Sequence, residues 1–199
     1  RATDWTIKAF DETGNQIRIS AIGSHFGGSL DTVGTHPDCP GIGFLIEYKT
    51  FGTGPYGKLL AQGVQKERPK HWAQMCVYGK KHNLRYAIYC PINKNDDDIS
   101  GIQVIELDWK FADELERKAE SVITAKEPPP KLSENPAYFE CRFCSMIGIC
   151  HMNEPVEKNC RSCRHAEPRD NAEWFCIKHG GTIPPEFIPQ GCADHFGIG

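Results

Sequence analysis

The sequence lacks a hydrophobic run long enough to cross a membrane, and it lacks a strong excess of charge of either sign. The first absence excludes a membrane-spanning helix, which needs about 20 consecutive apolar residues. The formal net charge is −3, so no overall cationic field indicates nucleic acid, although local patches can still steer a polyanion. The composition, with 39% hydrophobic and 25% charged residues, is typical of a globular protein. We expect a cytoplasmic protein with no membrane partner.

Cysteine is abundant, but its distribution lacks the even spacing of a disulfide scaffold. Seven of the ten cysteines lie after residue 140. The pairs Cys141/Cys144 and Cys160/Cys163 have the tight Cys-x-x-Cys spacing that is typical of metal ligands. Because secreted disulfide domains tend to be shorter and more evenly cross-linked, the pattern favours thiolates on metal in a reducing, intracellular compartment.

The predicted elements run in the order strands, helix, strands, helix and cysteine-rich tail, which indicates an α/β fold with a mixed sheet. The predicted strands are a hairpin over 5–20 and single strands over 24–33, 42–50, 85–92 and 101–107, and the predicted helices are 68–83 and 109–126. Residues 52–67 show no clear period and predict a loop that could close over a substrate. Three successive prolines at 128–130 predict a linker. We expect a core over 1–137, a first cysteine segment over 138–155 and a second over 156–199.

Two carboxylates and a lysine lie at the ends of neighbouring predicted strands. Glu47 and Lys49 follow an apolar run and project together, because side chains alternate faces along a strand while Tyr48 points away. Asp31 ends the preceding predicted strand. Buried charges must be paired or bind metal. We therefore predict that Asp31, Glu47 and Lys49 meet at one point, where they bind a divalent cation and polarise a phosphodiester.

A polar pair follows on the next predicted helix. Gln74 and Tyr78 are four residues apart and therefore share one helix face. In this order, Asp31, Glu47-x-Lys49 and Gln74-x-x-x-Tyr78 resemble the PD-(D/E)XK nuclease superfamily. The most similar branch is the RecB-like exonucleases, including the CRISPR-associated and phage-encoded members. The resemblance covers roughly residues 15–150.

This resemblance implies a restriction-endonuclease-like core, in which helices flank a central mixed β-sheet, and a Mg²⁺- or Mn²⁺-dependent deoxyribonuclease. The expected activity is exonucleolytic hydrolysis of phosphodiester bonds in recombination, repair or phage DNA metabolism. By resemblance, Asp31, Glu47 and the backbone carbonyl of Tyr48 hold the cation. Lys49 orients or deprotonates the attacking water, or stabilises charge on the phosphate.

The resemblance also implies a DNA-binding surface around the helix, with Gln74 and Tyr78 contacting the active site and the DNA backbone. Basic residues flank the helix and predict a rim that binds phosphates in a salt-dependent manner. These are Lys66, Arg68, Lys70, Lys80 and Lys81. The implied partners are DNA and a helicase, recombinase or single-strand annealing protein, in a bacterial or phage-infected cell. Many members of this branch carry a histidine on an upstream helix; His25 does not match it by position, and residues before Arg1 are the expected place for it.

The triplet Cys141-x2-Cys144-x5-Cys150 is similar to that of the iron–sulfur type of RecB-like nuclease. There, with a fourth cysteine far upstream, it holds a [4Fe–4S] cluster. A fourth ligand before Arg1 is one option, and three cysteines within the chain are others, although none lies at the family's position. These are Cys39, Cys76 and Cys90. In the alternative interpretation, His151 completes a Cys₃His zinc site.

A second set, Cys160-x2-Cys163-x12-Cys176-x15-Cys192, is typical of a Cys₄ zinc ribbon or knuckle. Three histidines are possible substitute ligands: His165, His179 and His195. Zinc there would replace the hydrophobic core that this short, proline-rich tail lacks.

Three other functions remain open from the sequence. The first is a structure-specific endonuclease on the same core, the second a non-catalytic module that binds nucleic acid or protein, and the third a redox protein. Intact Asp31, Glu47 and Lys49 argue against the second. The third lacks any flavin or nicotinamide fingerprint in the sequence.

Overall fold

The structure is a computed structural model that describes residues 4–198, and the chain divides into two units. The first unit contains Phe26–Lys118 together with the stretch that ends at Ala21. The second contains Ile22–His25 and the chain from Ala119 onward. None of the helices in residues 4–198 is both long and apolar enough to span a bilayer.

The first unit is built on a five-stranded mixed sheet in the order β1-β4-β5-β6-β7, with a separate β2–β3 ribbon. Its strands are β1 (Thr6–Lys8), β2 (Arg18–Ala21), β3 (Phe26–Ser29), β4 (Thr32–Thr35), β5 (Gly43–Phe51), β6 (Tyr86–Asn93) and β7 (Gln103–Glu106). The central pair, β5 and β6, is parallel, and the other pairs are antiparallel. This confirms the predicted α/β class with a mixed sheet flanked by helices.

Helices occupy the crossover that two parallel neighbours require. They are α1 (Thr53–Gln62), α2 (Val64–Glu67) and α3 (Pro69–Lys81), and α4 (Trp109–Ile123) follows β7. Leu45 of β5, Met75 of α3 and Tyr89 of β6 are fully buried in one hydrophobic core. Burial of these large side chains is the main favourable contribution to folding of this unit.

The predicted helix over 68–83 is confirmed as α3 with Pro69 in its first turn, and the helix over 109–126 is confirmed as the shorter α4. The predicted loop over 52–67 is wrong, because these residues form α1 and α2. Tyr56 and Leu59 are buried, so packing of α1 outweighs the poor helix propensity of its glycines. Gly63, with a φ of +75°, ends α1.

The predicted hairpin over 5–20 is correct only at its turn. Phe10 and Gln16 form an isolated antiparallel bridge around that turn. The flanking strands separate, because β1 pairs with β4 and β2 pairs with β3. The predicted strand over 24–33 is likewise divided into β3 and β4, and Asp31 lies in the break between them.

The second unit has short elements and a small apolar cluster. They are α5 (Phe139–Arg142), α6 (Ile147–Met152) and an antiparallel sheet of β8 (Ala166–Pro168), β9 (Trp174–Cys176) and β10 (Gly181–Ile183). Ala166, Ile183 and Ile188 are buried together, and Cys160 and Cys176 pack against them. The two cysteines are therefore part of the interior of this unit.

Candidate active site

The centre of the candidate site is on β5, where one charged side chain is completely buried. Glu47 is 0% exposed, whereas its neighbour Tyr48 is 43% exposed, as expected from the alternation of faces along a strand. The Lys49 ammonium forms an ion pair with Glu47 Oε1, and the Lys49 side chain keeps 28% of its surface exposed. The prediction that Glu47 and Lys49 project together is confirmed.

Asp31 joins this pair from the break between β3 and β4. The backbone N–H of Tyr48 donates to Asp31 Oδ2 at 3.0 Å. This bond fixes the Asp31 carboxylate beside β5. The carboxylate therefore lies next to Tyr48, the residue whose backbone carbonyl is predicted to hold the cation. Asp31 also interacts electrostatically with Glu47. Folding therefore gathers the three residues at one place.

The buried carboxylate of Glu47 is only half satisfied. Its Oε2 atom is buried and has no hydrogen-bond partner. Burial raises the pKa of Glu47 above its usual value, Lys49 opposes this shift, and the negative charge of Asp31 adds to it. An unpartnered buried carboxylate oxygen is costly. A cation bound beside Asp31 would remove that cost, so the donor set fits a hard divalent metal.

Helix α3 contributes the polar pair, which is half-buried. The Gln74 side chain hydrogen-bonds to the Tyr78 hydroxyl, and Tyr78 interacts electrostatically with Glu47, Lys49 and Asp31. Burial raises the pKa of Tyr78, so the phenol stays protonated at neutral pH. All five residues predicted to be catalytic are thus close neighbours.

A glycine leaves room for this tyrosine. A Cβ atom built on Gly28 of β3 would overlap the Tyr78 hydroxyl. The lack of a side chain at Gly28 therefore lets the β2–β3 ribbon and Tyr78 approach closely. No role for this glycine was predicted from the sequence.

Two further residues lie beside the site; His71 was predicted only as part of the basic rim around the helix, and Tyr89 was not predicted to have a role. His71 Nδ1 lies 2.7 Å from the hydroxyl of Tyr89, which is fully buried. Burial lowers the pKa of His71, and the positive charges of Lys49 and Arg68 lower it further, which favours neutral imidazole. The available signal was spacing, because His71 precedes Gln74 by three residues and shares its helix face.

The basic residues around α3 fall into two groups. Lys80 forms an ion pair with Asp113, and Lys81 Nζ lies 2.8 Å from Glu116 Oε2 of α4, so acidic residues already offset both charges. Near the start of the helix, Lys66 and Lys70 are exposed. There the Arg68 guanidinium lies 5.3 Å from the centre of the Phe51 ring, a cation–π contact that holds its position.

The first cysteine set differs in exposure along its length. Cys141 is buried, Cys144 is exposed and Cys150 is half-buried. His151 Nε2 is buried without a hydrogen-bond partner, which fits the alternative Cys₃His site. Of the proposed fourth ligands, Cys76 lies in the core of the first unit, where burial raises the pKa of its thiol to about 11. The Cys76 thiol therefore packs in the core and stays protonated at neutral pH, which does not suit a metal ligand.

The four cysteines of the second set line a single cavity of about 250 Å³. Burial, and the nearby thiols of the other three cysteines, raise the pKa of Cys160. Within residues 4–198, no group of three or more His, Cys, Asp or Glu side chains is already arranged to hold a metal ion.

The proposed Mg²⁺ site beside β5 offers only two carboxylates, and Mg²⁺ normally takes its other ligands from water and substrate phosphate.

Comparison of the chain with protein-family models, curated proteins and solved structures finds no match.

Proposed function

We propose that the chain is a metal-dependent nuclease of the PD-(D/E)XK type, on the RecB-like exonuclease branch. The observation that carries this proposal is the cluster of the half-buried Asp31 and Lys49 around the buried Glu47, in which Glu47 Oε2 lacks a partner. A fold with no use for these charges has little to gain from keeping them, since a buried ion pair is often no more stabilising than a hydrophobic replacement.

The division of roles is the one that the resemblance implies, and the contacts are compatible with it. Asp31, Glu47 and the backbone carbonyl of Tyr48 would hold Mg²⁺ or Mn²⁺. That cation supplies positive charge that offsets the charge developing on the phosphate during hydrolysis. Lys49 is held as a donor by its ion pair with Glu47, so its ammonium is placed to orient the attacking water and to stabilise the phosphate oxygens.

The residues of α3 position the DNA strand. Tyr78 stays protonated and donates to a phosphate oxygen, and Gln74 fixes the direction of the Tyr78 hydroxyl. Lys66, Arg68 and Lys70, near the start of the helix, would track the backbone and make binding weaken with salt. Arg68, Lys80 and Lys81 are each ion-paired with an acidic residue, so phosphate binding there would compete with Glu67, Asp113 and Glu116.

The test is cleavage of end-labelled linear DNA, single- and double-stranded, by the full chain with Mg²⁺ or Mn²⁺. We expect Glu47→Ala and Lys49→Ala each to abolish cleavage while the fold is retained. Glu106→Ala is the matched control. Glu106 lies on β7, which does not pair with β5, and its exposed carboxylate is ion-paired with Arg85. Its activity should equal that of the wild type.

Closed circular DNA separates the two nuclease modes. An exonuclease leaves it intact, whereas the alternative endonuclease converts it to nicked or linear forms. Equal cleavage by wild type, Glu47→Ala and Lys49→Ala would refute the site assignment. Binding of DNA without cleavage by the wild type under any divalent metal would favour the non-catalytic module instead.

A further inference from the structure

The second unit brings four thiols from three separate segments to one cavity. Cys160 and Cys163 belong to a tight turn, Cys176 ends β9, and Cys192 lies in the loop after the last strand. The turn is held by a capping box, in which the Asn159 side chain accepts from the Ser162 N–H and the Ser162 hydroxyl accepts from the Asn159 N–H. The spacing of the first two thiols is therefore fixed by local structure.

Backbone N–H groups are directed at the sulfur atoms. The N–H of Phe196 donates to Cys163 Sγ at 3.4 Å, and the N–H of Gly191 donates to the Cys160 sulfur. Such bonds stabilise a thiolate over a thiol and are a common outer-shell feature of metal sites. Cys160 also interacts electrostatically with the other three thiols of the set, so all four are near neighbours.

Three histidines line the same cavity; His179 and His195 make polar contacts of their own, and the His165 ring lies 6.2 Å from the centre of the Phe196 ring. His195 Nε2 lies 3.0 Å from the Ser162 hydroxyl. His179 Nε2 lies 3.5 Å from Asp194 Oδ2, and its side chain is 55% exposed. It also lies 3.8 Å from Cys192 Sγ, which suits an N–H donor to a bound thiolate better than a metal ligand. The four thiols are therefore the larger donor set at the cavity, and one of them, Cys160, has its Sγ atom 3.8 Å from the Phe187 carbonyl, to which it donates.

Several observations favour a metal ion over an empty apolar interior. The buried apolar cluster of this unit is Ala166, Ile183 and Ile188, and Cys160 and Cys176 pack directly on it. All four cysteines are free thiols. Since no three ligands in the described chain are preassembled, binding requires the thiols to turn toward the centre, and rotation about χ1, the single side-chain torsion of cysteine, is the movement that carries the sulfur.

We propose that Cys160, Cys163, Cys176 and Cys192 bind one Zn²⁺ in a closed, tetrahedral and structural site. Four thiolates are one of the common tetrahedral ligand sets of structural Zn²⁺, and the four thiol protons are released to solvent on binding. Lys178 on the cavity wall offsets part of the resulting negative charge. His179 orients Cys192 as an outer-shell donor. This site is independent of the proposed nuclease activity.

The experiment measures zinc and iron per chain in the full-length protein, purified anaerobically with a reductant. A Cys144→Ser background disables the first cysteine set, so that zinc reports the second set alone. In that background we expect one zinc per chain, lost in Cys176→Ser and in Cys192→Ser. Cys90→Ser is the matched control, because Cys90 lies on β6, and it should keep the zinc. His179→Ala should also keep it.

Cobalt substitution in the same background keeps the proposal falsifiable if a serine variant fails to fold. We expect the intense ligand-field absorption and the sulfur-to-cobalt charge transfer of a tetrahedral thiolate site. A weak octahedral spectrum would overturn the proposal. So would zinc retained by Cys176→Ser and Cys192→Ser, iron in place of zinc, or zinc lost from His179→Ala.

Discussion

The two units are stabilised in different ways. In the first, large apolar side chains such as Leu45, Met75 and Tyr89 are fully buried around a five-stranded sheet. In the second, strands of three residues surround a small apolar cluster and four thiols. The first unit has enough core to tolerate a buried, half-satisfied carboxylate, and we infer that it uses this carboxylate for chemistry. The second has a small apolar core, and we infer that it relies on the proposed zinc site for much of its stability.

Removal of metal should give the largest difference in stability between the two units. A tight chelator, added to the full chain with a reductant, should abolish amide protection in β8–β10 and leave it in β5 and β6. The expected loss is large, because structural zinc contributes on the order of 10 kcal/mol to the folding of small metal domains. Hydrogen exchange read by mass spectrometry measures both units in one sample. Equal loss of amide protection in both units, or no loss in either, would show that metal does not stabilise the second unit selectively.

Truncating one core residue in each unit sharpens the same contrast. Leu45 is fully buried, so Leu45→Ala should destabilise the first unit by about 2–5 kcal/mol. Ile183→Ala in the zinc-loaded protein should cost about 2 kcal/mol, at the lower end of that range, because its cluster is small. Denaturant-dependent hydrogen exchange gives both values. A larger loss from Ile183→Ala would show that apolar packing dominates the second unit.

Gly28→Ala tests the close approach of β3 to the site. The added Cβ would displace the Tyr78 hydroxyl, so we expect cleavage to fall by up to about a hundredfold with little change in stability. Gly57→Ala is the matched control, because a Cβ there meets open space within α1. It should keep full activity and stabilise the helix by about 0.5–1 kcal/mol. Full activity of Gly28→Ala would exclude a role for Tyr78.

The smallest expected effect is a shift of the acid limb of the pH–rate profile. Activity needs ionised Glu47, whose pKa is raised by burial, so cleavage should decline as pH falls through that raised value. Because the cation competes with the proton, more Mg²⁺ should move the limb to lower pH. An acid limb that does not move with Mg²⁺ would show that it arises from a group other than Glu47.

The same raised pKa has a predictable effect on stability. The folded state holds the Glu47 proton more tightly than the unfolded chain, so this contribution is complete below the ordinary value of 4.5 and is lost as pH rises through the folded value. Glu47→Gln should flatten the stability profile in that window, as measured by denaturation at several pH values.

Periodic patterns were informative and short or glycine-rich segments were not. The apolar run of β5 and the amphipathic pattern of α4 were predicted, because burial of one face imposes a period. Helix α1 was missed, since its glycines hide the buried positions Tyr56 and Leu59. The three-residue strands of the second unit are too short to show alternation.

The site followed the same rule. Glu47 and Lys49 were placed correctly because they are two residues apart on one strand. The role of Gly28 was invisible, because it depends on a contact with Tyr78 that is distant in sequence. His71 was visible as a residue but not as a neighbour of Tyr89.

The proposal that Asp31 and Glu47 hold a divalent cation can be tested by measuring Mn²⁺ binding with electron paramagnetic resonance. The wild type should bind Mn²⁺ at the β5 site, and Glu47→Gln should weaken this binding by at least about tenfold, since even outer-shell changes reach that size. Cys176→Ser, altered only in the second unit, should bind Mn²⁺ as the wild type does. Unchanged Mn²⁺ binding in Glu47→Gln would contradict the account.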